Sequence, residues 1–258
     1  MQEIRRDPPQ FLEIKNAGGV RRIAFLQQPG RSPTVVWLGG FRSDMRATKA
    51  ETLSRWAVES GHGFLRLDYS GHGESEGRFE DGTISAWLED ALAVIEAQTT
   101  GPVVLVGSSM GGWISLLASR RLPTGRLAGM VLIAPAVDFT ESLMWARLPD
   151  EIKQQIEHDG LWLRPSAYSP EPYPITRALI EDGRKHLLFG APFETGCPVH
   201  ILQGMQDEDV PWSHAMTLVE HLPSDEVVLT LINDGDHRLS RDQDLARLVA
   251  AVESVSGR

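Results

Sequence analysis

The chain has 258 residues, enough for one α/β domain with a sizeable core and too few for a second complete domain of that kind. Its formal net charge of -10 at pH 7 argues against a nucleic-acid partner, because binding to a phosphate backbone draws on clustered Lys and Arg. The one cysteine, Cys197, excludes an intrachain disulfide, and its place between Gly196 and Pro198 suits a small packing residue.

The first nine residues lack the apolar stretch of a secretory signal, and no later run is long enough to span a bilayer. A cytoplasmic location is therefore expected. Residues 11–15 and 20–26, separated by Asn16-Ala17-Gly18-Gly19, read as an antiparallel hairpin on a sheet edge. Beyond it, apolar runs of strand length at 34–38, 64–68, 103–106, 127–133, 199–202 and 227–232 alternate with helical patterns at 48–60, 84–98, 111–121, 213–221 and 241–254. This alternation predicts an α/β fold, a mostly parallel central sheet flanked by helices on both faces.

One segment breaks the rhythm. Residues 138–189 are rich in Trp, Tyr and Pro and are longer than a strand-to-helix connection requires. They read as an inserted helical cap, with short helices at 141–147, 151–158 and 175–188, and residues 1–137 and 190–258 form the core. Trp145 and Trp162, with Leu143, Met144 and Tyr168, make the cap a candidate apolar cover for a substrate.

The most informative stretch is Val103-Val104-Leu105-Val106-Gly107-Ser108-Ser109-Met110-Gly111-Gly112-Trp113. It joins an apolar strand to a helix through a G-x-S-x-G turn, which forces a serine out at the tip of a tight elbow. Ser109 is the candidate nucleophile. A serine hydroxyl at its ordinary pKa needs a histidine to take its proton and an acid to orient that histidine. Both should follow at the ends of later strands.

After the 199–202 strand comes Gln203-Gly204-Met205-Gln206-Asp207-Glu208-Asp209-Val210-Pro211-Trp212. Asp207 is preferred as the acid because it lies nearer the strand end; Asp209 suits a cap for the next helix, and Asp138 is a third candidate. After the last strand, His237 in Asn233-Asp234-Gly235-Asp236-His237-Arg238 has the order and location of a general base and acid. His62, His186, His200, His214 and His221 fall within or beside helices and strands and are given structural roles.

Acyl transfer also needs donors for an oxyanion. The amides of Met110, after the nucleophile, and of Phe41, in the turn Gly39-Gly40-Phe41-Arg42 after the 34–38 strand, are the candidates. A second glycine-rich turn, Asp68-Tyr69-Ser70-Gly71-His72-Gly73-Glu74-Ser75, lacks the basic residue of a phosphate loop, and His72 reads as a turn residue. No metal-ligand spacing is found, so neither metal nor cofactor is expected.

Taken together, Gly107-Ser108-Ser109-Met110-Gly111-Gly112, the Asp68 to Ser75 turn, Gly204 to Trp212 and Asp236-His237-Arg238 resemble the α/β-hydrolase superfamily. With Trp113, the Val210-Pro211-Trp212 after the acid and the run from Gly160-Leu161-Trp162 to Pro165-Ser166, Tyr168 and Ser169, the chain resembles its mitochondrial palmitoyl-protein thioesterase and acyl-glucuronide esterase branch. The resemblance implies a serine hydrolase cleaving acyl thioesters or esters, with Ser109, Asp207 and His237 as triad and the Phe41 and Met110 amides as oxyanion hole. It implies a small-molecule or acylated-protein substrate. The targeting extension of that branch is not seen here, and Gly39-Gly40 stands where many superfamily members carry His-Gly. A peptidase, a carbon-carbon bond hydrolase, an acyltransferase and a non-catalytic binding protein remain alternatives on the same fold. Oligomeric state is open.

Overall fold

The computed structural model describes residues 7–16, 19–165 and 172–257. Two antiparallel strands, β1 (Gln10–Asn16) and β2 (Gly19–Gln28), precede β3 (Arg31–Leu38), α1 (Thr48–Ser60), β4 (His62–Leu67) and α2 (Ile84–Gln98). Next come β5 (Val103–Ser108), α3 (Met110–Ser119) and β6 (Leu127–Ile133). The long segment follows, with a π-helical turn at Thr140–Met144, a 3-10 turn at Trp145–Arg147, α4 (Asp150–Asp159), β7 (Leu161–Arg164), β8 (Tyr173–Thr176) and α5 (Arg177–Gly183). The chain then forms β9 (Val199–Gly204), α6 (Trp212–Glu220), β10 (Val227–Ile232) and α7 (Asp242–Ser256).

The main sheet has eight strands in the order β1-β2-β4-β3-β5-β6-β9-β10, and every neighbouring pair from β4 to β10 is parallel. Its central strands are apolar throughout because alternate residues face two different cores. Val36, Leu38, Leu105 and Leu132 pack with Trp87 and Trp113 of α2 and α3. Val35, Trp37, Val104 and Ile133 pack on the opposite face with Leu53 and Trp56 of α1 and Val252 of α7. With both faces covered, the open ground lies at the strand ends, and β3 between β4 and β5 makes the loops after those three strands neighbours.

The hairpin is present as expected, although Ala17 and Gly18 of its turn lie outside the described residues. In the long segment the structure adds a two-stranded ladder, Leu161↔Thr176 through Arg164↔Tyr173, to the helices expected there. Gly160, at φ 84, ends α4 and turns the chain into β7. The helix expected over 175–188 starts only at Arg177, because the Thr176 hydroxyl caps it by accepting the Leu179 N–H at 3.1 Å, leaving Ile175 in the extended leg.

The two ends of the segment are tied together. Asp138, at φ 54, accepts the Leu188 N–H at 2.9 Å and the Phe189 N–H at 2.9 Å. Farther along, Asp182 accepts both the amide and the hydroxyl of Ser85, at 2.7 and 2.9 Å, and so fastens α5 to the first turn of α2.

Candidate active site

The turn from β5 into α3 places Ser109 at φ 54 and ψ -118, a conformation that a residue with a side chain rarely adopts. The surroundings hold it there: its N–H donates to the Ile133 carbonyl at 2.8 Å, and its own carbonyl accepts from Gly112 and Ala136 at 2.9 and 3.1 Å. The flanking glycines are steric requirements. A Cβ on Gly111 would collide with the Leu38 carbonyl, and one on Gly107 with the Gly111 carbonyl. From the β3 side, Gly40 lies so close that a Cβ there would stand 3.3 Å from the Ser109 Cβ.

Asp207 and His237 come together at the same edge. The Asp207 side chain is fully buried; its Oδ2 accepts the His237 Nδ1–H at 2.7 Å, and its Oδ1 accepts the amides of Asp209 and Val210 at 3.0 and 2.8 Å. With the proton placed on Nδ1, the neutral ring keeps a lone pair on Nε2. The two loops are knitted by Met205 N–H to Ile232 O, 2.9 Å, and Gln206 N–H to Gly235 O, 2.8 Å. Lys49 of α1 donates to the carbonyl of Arg238, the residue after the histidine, and burial lowers its pKa to about 8. Ser109 Oγ makes no hydrogen bond with any described residue, so its link to His237 is not formed here.

Among the described residues, two backbone amides beside the elbow have no acceptor. Met110 opens α3, where N–H groups have no helical acceptor, and Phe41 sits in a turn closed by Ser43 N–H to Gly40 O at 3.0 Å. The Phe41 ring is walled by Phe79 at 4.9 Å, Phe139 at 5.6 Å, and Trp87 and Tyr173 at 5.8 Å between centroids. A cavity of about 450 Å³ between residues 7–9, 44–47 and 68–74 includes none of the candidate site residues.

Other expectations are redistributed. Asp209 does not cap the next helix: Pro211 holds the N-cap position of α6 with no side-chain bond, and the Asp209 carboxylate stands within 4.8 Å of ligand atoms of Asp207 and His237. Asp207's oxygens are already engaged by protein donors, which makes this trio a hydrogen-bonded cluster. Asp138 serves the neck of the long segment. Trp145 lies under the Arg184 guanidinium at 5.0 Å and the Lys153 ammonium at 6.0 Å, and Trp162 pairs with Ile175; both are half-buried against the α2–α3 core. Ser166, Tyr168 and Ser169 lie outside the described residues.

The histidines given structural roles have ordinary partners, such as the Val137 carbonyl for His214 at 2.8 Å and the Phe189 carbonyl for His221 at 3.0 Å. The buried Cys197 thiol is pushed up to about 11 by burial, in keeping with a packing role. His72 lies in a turn, as expected, with its N–H donating to the Tyr69 carbonyl at 2.9 Å. It is buried and bonds to the Arg42 amide, next to Phe41, at 3.2 Å. Its signal was topological, since β3 and β4 are neighbours and their C-terminal loops must meet.

A serine on a strained strand-to-helix elbow, at the carboxyl edge of a parallel sheet covered on both faces, defines a hydrolase class. The chain belongs to the alpha/beta hydrolase family, whose model matches residues 35–251, and it is a hydrolase. It is 35% identical over 234 residues to the mitochondrial palmitoyl-protein thioesterase ABHD10 of Bos taurus, covering 90% of this chain and 76% of that protein. Among solved structures, the mouse alpha/beta hydrolase domain-containing protein 10 is similar, with a TM-score of 0.86, 32% identity and coverage of 96% of this chain and 98% of that one. A hydrolase structure from Agrobacterium vitis S4, described as putative, is similar with a TM-score of 0.93 and 48% identity, covering 98% and 100%. The cytoplasmic location expected from the N-terminus is overturned by these relatives, for the bovine protein is named as mitochondrial. Among the described residues, no helix is long and apolar enough to cross a membrane.

Proposed function

We propose that the protein is a serine hydrolase that cleaves acyl thioesters or carboxylic esters through an acyl-enzyme on Ser109. The observation that carries this reading is the 2.7 Å hydrogen bond from His237 Nδ1 to the buried Asp207, at the sheet edge that also bears the strained Ser109 elbow. Ser109 Oγ attacks the acyl carbonyl carbon while its proton passes to His237 Nε2. The Phe41 and Met110 amides donate to the oxyanion that forms. Collapse breaks the C–S or C–O bond, and the proton on Nε2 leaves with the thiol or alcohol. Water, deprotonated by the same nitrogen, then attacks the acyl-enzyme and releases the acid. Asp207 orients the imidazole throughout.

In this reading residues 138–189 form the cap over a core of 1–137 and 190–258. Trp145, Trp162, Leu143 and Met144 give it an apolar underside, and the rings of Phe139 and Tyr173 beside Phe41 extend that wall to the reacting centre. The name of the bovine relative supports a palmitoyl thioester on a protein as substrate; a small-molecule ester or thioester is the other substrate the same site would take.

A fluorophosphonate probe is expected to label wild-type protein and not Ser109→Ala; equal labelling of both sinks the proposal. Asp207→Asn should lower kcat by roughly 10⁴-fold with the fold retained. On p-nitrophenyl esters and acyl-CoA thioesters of graded length, turnover should hold or rise with chain length. Steady loss beyond acetyl would count against the apolar cover.

A further inference from the structure

Gly40, Phe41 and Arg42 form a tight turn, and an amide in such a turn points wherever the turn is pinned. Two braces come from the loop after β4. Asp68 Oδ1 accepts the Met45 N–H at 2.6 Å, and His72 Nε2 accepts the Arg42 N–H at 3.2 Å. The second brace is one residue from Phe41.

Nε2 must be unprotonated to accept, so the ring proton belongs on Nδ1, which lies 3.2 Å from the Ser70 carbonyl. That carbonyl is fixed in turn. It also accepts the Trp87 indole N–H at 3.1 Å, and Ser70 is held through its amide and hydroxyl by the buried Asp90, at 2.8 and 2.7 Å. Arg21 supports Asp90 at 2.7 Å. The imidazole itself is buried, with the rings of Phe79 and Trp87 at 5.2 Å and Tyr69 at 5.7 Å, all edge-on.

We infer that His72 is a positioning residue for the hydrolysis: through the Arg42 amide it fixes the 40–43 turn against Ser109 and so aims the Phe41 N–H at the oxyanion. The inference rests on the reading of Phe41 as an oxyanion donor. Burial, partly offset by the Ser70 bond, lowers the His72 pKa to about 4, with the nearby Arg42 charge adding to the lowering; the acceptor nitrogen therefore stays free at neutral pH. A turn left to drift by about 1 Å costs an aligned reaction up to roughly a hundredfold in rate.

The test compares His72→Phe, which keeps a ring among Phe79, Trp87 and Tyr69 but loses the acceptor, with His72→Gln, whose side-chain carbonyl can accept again. The readouts are kcat, KM on a p-nitrophenyl ester, and the affinity of a trifluoromethyl ketone, whose adduct with Ser109 carries the same oxyanion. His72→Phe should lower kcat and ketone affinity in parallel, by about tenfold to a hundredfold, with KM within about twofold. His72→Gln should recover most of both. A folded His72→Phe with wild-type kcat and ketone affinity, or a folded His72→Gln as impaired as His72→Phe, overturns the inference.

Long-range ¹H–¹⁵N spectra of the wild type provide a check that needs no variant. They should show the Nδ1–H tautomer of His72 from pH 7 down to about 5, and an Nε2–H tautomer or an imidazolium there overturns the assignment equally. Failure of the underlying function looks different. In that case Ser109→Ala would keep wild-type turnover and the ketone would not inhibit the wild type at all.

Discussion

The elbow at Ser109 and the long segment between β6 and β9 leave the same edge of the sheet, yet they are held in different ways. At the elbow, backbone lies against backbone: Gly111 touches the Leu38 carbonyl and Gly107 the Gly111 carbonyl, and nothing larger than hydrogen fits. The long segment is fastened by side chains, with Asp138 on the amides of Leu188 and Phe189, Asp182 on Ser85, and Arg184 on Glu141 at 2.7 Å. Close backbone approach fixes position and tolerates no substitution. Side-chain ties fix position too, but each can be exchanged alone. The proposed chemistry lies in the first region and the proposed cover in the second, so the fold separates what must not vary from what can.

Three measurements would break or sharpen that contrast. Gly111→Ala should destabilise the whole domain by roughly 3 kcal/mol or more, because two backbone segments must part to admit a methyl group. Urea unfolding measures it, and an unchanged midpoint would refute the steric account. Asp138→Ala should cost about 1–3 kcal/mol, from the buried amides it leaves unpaired. Hydrogen exchange should quicken at Leu188 and Phe189, whereas Ser109 should still be labelled by a small fluorophosphonate at close to the wild-type rate. Parallel loss of labelling would mean that the two regions are not separately held.

The smallest effect concerns pH. His72 is held at about 4 in the fold, against an ordinary value of 6.5. Between these values the unfolded chain binds a proton that the folded one does not, so this group's contribution makes stability fall as pH drops from 6.5 to 4, by at most about 1.4 kcal/mol per pH unit. His72→Gln removes that share, and its stability should decline less steeply across the window than the wild type's. Equal slopes would show that His72 is accessible to protons in the fold.

The sequence disclosed the doubly covered sheet because β3, β5 and β6 are apolar at every central position, a pattern that only two cores explain. It disclosed the elbow for the same kind of reason, since three glycines around a serine answer a local crowding. The pairing of Asp207 with His237 followed from strand order, since each lies in a loop at the end of a later strand. The β7–β8 ladder was hidden because four-residue strands are too short for a period to register, and the Thr176 cap that separates strand from helix resembles any threonine. The bonds of Asp138 and His72 were hidden for a different reason: their partners lie 50 and 30 residues away, and neither bond has a local signature. Asp209 was assigned a cap that its neighbour Pro211 occupies.

The bond between Asp138 and the amides of Leu188 and Phe189 has a consequence for how such a protein can be rebuilt. Departure and return of the chain lie within reach of a single carboxylate, so the long segment leaves and rejoins the core at one place. A replacement segment would have to start and finish at that latch and also meet Ser85 and the apolar surface that Ile156, Ile175, Leu179 and Ile180 cover here. Such an exchange would re-thread no strand of the main sheet, because β7 and β8 pair only with each other.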